Sequence, residues 1–188
     1  MRRNRFSPTF SLFAVSLTFL ALTIFTSACA PSPNLLRGKS LTLTSTSENG
    51  VEVSIFLEHT AEGVFLLHAT FTPPEGDHLY SKDIPISGVD GLGRPTLLAL
   101  VGESKMQALG SLTESVPALL LDFEYQKLPI YPDGAVTLTM PIALPNGEGW
   151  VNDVVSVTYM ACNDNGCKPP VIGKIIPVRV PGANSIAP

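Results

Sequence analysis

The sequence predicts an all-β fold, an antiparallel β-sandwich of about nine short strands. Three observations carry that reading. Apolar and polar residues alternate over short runs, as in Val51-Glu52-Val53-Ser54-Ile55. Turn formers punctuate those runs, with 15 Gly and 17 Pro among 188 residues. No long helical pattern interrupts them.

Each element follows from local chemistry. Ser40–Ser47 alternates Leu and Thr and reads as the first strand. Asn49-Gly50 is a two-residue hairpin signal leading into Val51–Glu58. Glu62-Gly63 turns the chain into Val64–Phe71. Pro73-Pro74-Glu75-Gly76 is a loop, and His78–Ile86 is the next extended segment. A glycine-rich loop, Gly88–Pro95, precedes a strand at Thr96–Val101. Gly102–Val116 holds either a short helical turn around Ser104–Leu109 or an irregular crossing. Leu119–Tyr125 is extended, Lys127–Pro132 is a loop and Ala135–Ala143 is a strand. Pro145–Gly149 is a loop, and Trp150 is expected to cap the core. Val154–Val180 reads as a hairpin that closes the domain. There is no internal repeat, low-complexity block or second domain.

The N-terminal segment is expected to be a targeting signal over residues 1–28. Arg2, Arg3 and Arg5 form a positive start, Phe10–Phe25 is a nearly uncharged apolar run, and Thr26, Ser27 and Ala28 precede Cys29. A small-residue triplet ending in Cys resembles the lipobox of bacterial lipoproteins, although Thr26 stands where Leu is usual. That resemblance implies lipidation of Cys29. An uncleaved membrane anchor and ordinary cleavage are the alternatives. All three place the domain outside the cytoplasmic membrane. Residues 29–37 then form a tether, 38–181 the sandwich and 182–188 a tail.

The formal net charge is −4. Removing residues 1–28 takes away three Arg and no acid, leaving nine basic and sixteen acidic residues, a net −7. No basic run suggests nucleic acid. A negative domain holds anionic lipid poorly by charge, so membrane attachment is expected through a lipid anchor.

Cys162 and Cys167 flank the hairpin loop. The four residues between them, Asn163-Asp164-Asn165-Gly166, are all turn formers. Directly opposed residues on antiparallel strands bring their β-carbons roughly 4.5–5.5 Å apart. A disulfide needs about 3.5–4.5 Å, within easy relaxation of that spacing. Pro169-Pro170 removes two backbone donors and ends the ladder. If Cys29 is lipidated, these two are the only thiols left in an oxidising compartment. Three readings stay open. A redox pair at a hairpin end is open to thiolate attack. A structural staple over so short a loop would contribute only about 2 kcal/mol. A metal site needs further ligands, and His59, His68 and His78 form no paired motif. His59 and His68 are expected at strand ends or on a solvated face.

Thr158-Tyr159-Met160-Ala161-Cys162-Asn163-Asp164-Asn165-Gly166-Cys167-Lys168-Pro169-Pro170 resembles the cysteine hairpin of the periplasmic N-terminal domain of the thiol:disulfide interchange protein DsbD. Two further segments agree in order and spacing. Glu75-Gly76-Asp77-His78-Leu79-Tyr80-Ser81-Lys82 is similar to that domain's glycine-leucine-tyrosine strand. Asp122-Phe123-Glu124-Tyr125-Gln126-Lys127, with Ile130–Asp133, resembles its cap-loop region. The resemblance covers about residues 38–181.

It implies an immunoglobulin-like sandwich whose Cys162/Cys167 pair accepts electrons from a membrane-embedded thiol reductase. The pair would pass them to thioredoxin-like proteins through mixed disulfides, with no cofactor. Cys167 would be the attacking sulfur. Asp122, Phe123, Glu124 and Tyr125 would lie in the cap, where either aromatic shields the sulfurs. Asp122 and Glu124 would raise a thiol pKa or accept a proton, or else be solvated loop acids. Tyr80 would pack beside the pair, or be a core tyrosine. The family's full protein continues into a membrane domain and a thioredoxin-like domain. This sequence contains neither, so electrons are expected from a separate protein. The chain is expected to act as a monomer, as a protein-disulfide reductase component. The alternative is a non-catalytic binding or adaptor lipoprotein with a structural disulfide.

Overall fold

The Asn49-Gly50 dipeptide adopts positive φ at both positions, 51° and 80°. A tight primed turn needs that geometry, and Asn and Gly tolerate it best. The turn joins β1 (Lys39–Glu48) to β2 (Val51–His59) with Glu48 opposite Val51. A computed structural model describes residues 37–186, apart from 124–125 and the side chains of 121–127. The expected signal segment, Cys29, nearly all of the tether and the last two residues lie outside it.

After β2 come β3 (Phe65–Thr72), β4 (His78–Leu79), β5 (Leu97–Ala99), β6 (Gln107–Ala108) and β7 (Thr113–Glu114). These are followed by β8 (Leu119–Phe123), β9 (Gln126–Ile130), β10 (Val136–Ala143) and β11 (Trp150–Tyr159). The described chain ends with β12 (Ala161–Asn163), β13 (Gly166–Cys167), β14 (Val171–Pro181) and a 3-10 turn at Ala183–Ser185. All named strand pairs are antiparallel.

The main sheet runs β1-β2-β3-β10, with β6 and β7 both on the outer edge of β10. A second sheet runs β14-β11-β5. Strict alternation decides which faces meet. Val51, Val53, Ile55 and Leu57 are fully buried, while the residues between them are not. Val136, Leu138 and Ile142 on β10 and Ile176, Val178 and Val180 on β14 do the same. Each such side chain contributes about 1.5–3 kcal/mol by leaving water. Phe71 and Tyr159 meet edge to face across the core, with ring centroids 5.7 Å apart. This is the all-β sandwich the alternation predicts.

The observed strand count exceeds nine because several are two- or three-residue bridges. The closing hairpin is really two. β11 pairs with β14, and beyond Met160 the short β12–β13 hairpin leaves that sheet and pairs with β4 instead.

Several expectations are corrected. Extended structure at His78–Ile86 stops at Leu79. The chain then turns, with Ile84 N–H donating to Ser81 and Gly88 N–H to Pro85. Of the two outcomes left open for Gly102–Val116, the irregular crossing is the one that forms, with no helical turn at Ser104–Leu109. The buried Asp153 carboxylate accepts the Lys105 and Met106 N–H groups, at 3.0 and 2.9 Å, and holds that stretch in an irregular crossing. Lys127–Pro132 is not simply a loop, because β9 pairs with β8 as far as Ile130. Alternate burial of Leu128 and Ile130 outweighs the missing donor of Pro129. Trp150 does not cap the core. It is half-buried, with the Arg179 guanidinium carbon 5.7 Å from its ring. His59 does end a strand, but it is buried and stacked on Phe65. His68 lies mid-strand and buried, stacked on Phe56 and bonded to Thr139 and Glu58. The described part of the tail is tied down. Gly182 N–H donates to Gly149, Ala183 N–H donates to Pro145, and Ile186 packs on the core.

Candidate functional site

Cys162 and Cys167 face each other across β12 and β13 and are joined as a disulfide, with Cα atoms 4.0 Å apart. Asn163 pairs with Gly166, so Asp164-Asn165 forms a two-residue turn. The Asn163 side chain closes it by accepting the Asn165 N–H at 2.9 Å. The two sulfurs sit in unlike surroundings. Cys162 is 3% exposed, because β4 covers its other flank with His78 opposite it. Cys167 is exposed, on the outer strand of this small sheet.

Tyr80 closes the floor. Its hydroxyl donates to Cys162 Sγ at 3.2 Å and lies 3.9 Å from Cys167 Sγ. The ring is 4% exposed, and burial pushes its pKa above the ordinary phenol value. It therefore remains a donor throughout neutral pH. Its backbone is pinned from two directions. Tyr80 bridges Ile130 on one side and Pro95 on the other, and its carbonyl accepts the Thr96 hydroxyl at 2.7 Å. Gly93 lies flat on the ring. A β-carbon there would sit 2.9 Å from Tyr80 Cδ1, so the loop can approach only without a side chain. Tyr80, Ile84, Leu128, Ile130 and Cys162 form a small apolar cluster distinct from the main core.

A carboxylate that sequence reasoning did not single out grips the same hairpin. Asp77 is 3% exposed. Its Oδ1 accepts Asn163 Nδ2 at 2.6 Å and its Oδ2 accepts Lys168 Nζ at 2.5 Å. The Lys168 bond, aided by Asn163, holds this carboxyl below the usual range against the opposing effect of burial. Lys168 N–H also bonds the Ala161 carbonyl, and Asn49 Nδ2 donates to the Pro169 carbonyl at 2.8 Å. The first hairpin turn thus braces the cysteine hairpin. The only sequence signal for Asp77 was its place just before His78-Leu79-Tyr80.

His78 meets the Tyr80 ring edge-on at 5.5 Å, and its buried Nε2 has no hydrogen-bond partner among the described residues. Burial lowers its pKa, opposed by the charges of Asp77, Asp133 and Asp164. Among the described residues no three His, Cys, Asp or Glu side chains gather closely enough to share a metal ion.

The structure brings Tyr80 to the cysteine pair. Of the expected cap residues, Glu124 and Tyr125 lie outside the described residues, as do the side chains of Asp122 and Phe123. Their hairpin is nonetheless joined to the site at its base. Ser81 N–H donates to the Pro129 carbonyl at 2.9 Å, and Tyr131 N–H donates to the Leu79 carbonyl at 2.8 Å. Among the described residues no helix is long and apolar enough to cross a membrane.

No protein-family model matches the chain, and no curated protein matches it. Among solved structures, the chain is similar to the reduced form of the Neisseria meningitidis DsbD N-terminal domain, at 17% identity and a TM-score of 0.40, over 62% of this chain and 76% of that one.

Proposed function

We propose that this domain is an extracytoplasmic thiol–disulfide exchange module, tethered through lipidated Cys29, whose Cys162/Cys167 pair relays electrons. The donor would be a membrane-embedded dithiol carrier and the acceptors thioredoxin-like proteins. The observation that carries the reading is the asymmetry of the pair: one cysteine exposed, the other buried against a hydroxyl donor. Exchange needs an accessible sulfur to attack and a stabilised sulfur to leave. The hairpin also has other anchors. Asp77 bonds Asn163 and Lys168, and Asn49 bonds Pro169. A staple worth about 2 kcal/mol is therefore not what holds it.

The chemistry balances without a cofactor. The carrier's thiolate attacks Cys167 Sγ, the sulfur–sulfur bond breaks, and Cys162 leaves as a thiolate beside the Tyr80 hydroxyl. The carrier's second thiolate then attacks its own sulfur in the mixed disulfide, closing the carrier's disulfide and releasing the Cys167 thiolate. Toward a client the roles reverse. Cys167 attacks the client disulfide, and Cys162 resolves the mixed intermediate. Two electrons and two protons pass to the client. Asp122, Phe123, Glu124 and Tyr125 would form the cap, with Phe123 or Tyr125 shielding the pair between encounters.

The test is a redox titration of the full-length chain in dithiothreitol, read by thiol alkylation under native conditions. A reversible two-electron couple is expected. A bond that the reductant cannot reach in the folded protein would overturn the proposal and leave a binding module with a structural disulfide.

A further inference from the structure

Resting on the exchange reading above, we propose that Asp77 is a positioning residue whose buried carboxylate clamps the two cysteine strands, keeping the reduced thiols in closing register. The geometry is specific. Asn163 follows Cys162 on β12, and Lys168 follows Cys167 at the end of β13. One carboxylate receives both, Asn163 Nδ2 on Oδ1 at 2.6 Å and Lys168 Nζ on Oδ2 at 2.5 Å. Asp77 itself is 3% exposed and held by its own N–H to the Pro74 carbonyl at 3.0 Å. No atom of the clamp belongs to a cysteine, so it persists when the disulfide opens.

Two consequences share one direction. Closing even a short loop costs conformational entropy. The clamp removes that entropy in advance and so raises the effective concentration of one thiol at the other. Separately, a cation beside a thiolate favours the thiolate. Lys168 directly follows Cys167, yet its ammonium is committed to Asp77. Releasing it would stabilise reduced Cys167. Both effects make the clamp favour the disulfide, and loss of the clamp favours the dithiol. Asp77 thereby sets how readily this station gives up electrons.

The experiment compares the full-length wild-type chain with Asp77→Asn and Asn163→Ala in glutathione redox buffers, with closure read by alkylation. For Asp77→Asn the equilibrium constant for closure is expected to fall about tenfold, which is about 30 mV for a two-electron couple. The Cys167 thiol is also expected to react at lower pH. Asn163→Ala removes one arm and is expected to shift the equilibrium the same way by less. If Asp77→Asn does not fold, Asn163→Ala decides alone. A merely structural role would lower the melting temperatures of the oxidised and reduced forms equally and leave the potential where it was. That outcome, in a wild type that titrates reversibly, overturns the clamp and leaves the exchange reading standing. A wild type that cannot be reduced while folded overturns the exchange reading and takes the clamp with it.

Discussion

The Tyr80 hydroxyl donates to Cys162 Sγ at 3.2 Å, so the buried cysteine of the pair carries the closer hydrogen bond while its partner Cys167 is an exposed residue. A bond of this kind matters most when that sulfur becomes a thiolate. Tyr80→Phe keeps the ring that fills the site and deletes only the donor. The loss of about 1 kcal/mol of stabilisation is expected to slow reductive opening about fivefold. Stopped alkylation after a dithiothreitol pulse measures this. An unchanged opening rate would show that the hydroxyl plays no part in exchange.

The two sulfurs are expected to differ as nucleophiles. In Cys162→Ser the remaining Cys167 is exposed, and in Cys167→Ser the remaining Cys162 is 3% exposed. Reaction with a thiol reagent is expected to be faster in the first variant by at least roughly an order of magnitude. Only that variant is expected to trap a mixed disulfide. Mass spectrometry of the adducts checks both statements.

The doubly substituted Cys162→Ser/Cys167→Ser chain is expected to fold. Asp77, Asn163, Lys168 and Asn49 still hold the hairpin. Loss of the short loop's constraint costs about 2 kcal/mol, a drop of about 4–8 °C in Tm for a domain of this size. Collapse of the β12–β13 hairpin in this variant, seen by hydrogen exchange, would count against the independent anchoring.

Gly93→Ala tests the seat of Tyr80. The new methyl would lie 2.9–3.1 Å from three ring carbons, at a φ of 74°. Strain and clash together are expected to cost about 1–3 kcal/mol. The displaced ring is expected to slow reductive opening as Tyr80→Phe does. Gly91→Ala has a φ of 85° but no neighbour within 4 Å. It is expected to cost stability with no effect on the sulfurs.

Acid is expected to weaken the site in two separate windows. Burial lowers the His78 pKa below its ordinary 6.5, so the unfolded chain takes up a proton that the folded one resists. Stability is full above that value and falls as pH drops through the folded pKa. The Lys168 bond lowers the Asp77 pKa below 3.8, so its contribution is present above that value and lost as pH falls through the folded one. Urea unfolding at stepped pH is expected to show His78→Gln flattening the first fall and Asp77→Asn the second. Curves that coincide with the wild type in both windows would contradict this assignment.

Much of the fold is legible in the sequence wherever a few neighbouring residues decide. Asn49-Gly50 makes its turn because only such residues tolerate the φ required. β2 and β10 bury alternate residues because a pleated strand sends successive side chains to opposite faces. Cys162 and Cys167 oppose each other because four turn formers separate them. The reading failed, or stayed open, where a distant partner overrode local preference. For Gly102–Val116, where two outcomes were left open, Asp153 decides for the irregular crossing from 48 and 47 positions away. Leu128 and Ile130 carry β9 past Pro129. His68 finds Thr139 and Glu58 and leaves the solvent.

The cysteine pair divides in the same way. Its presence, its opposition across a turn and the alternating strands that carry it follow from the sequence by itself, since each depends on residues within a few positions. Only the tertiary structure decided which cysteine is exposed, that Tyr80 reaches Cys162, and that Asp77 holds both strands. Those contacts join residues 82, 86 and 91 positions apart. They exist because β4 pairs with β12, and strand pairing over such separations leaves no local periodicity to read.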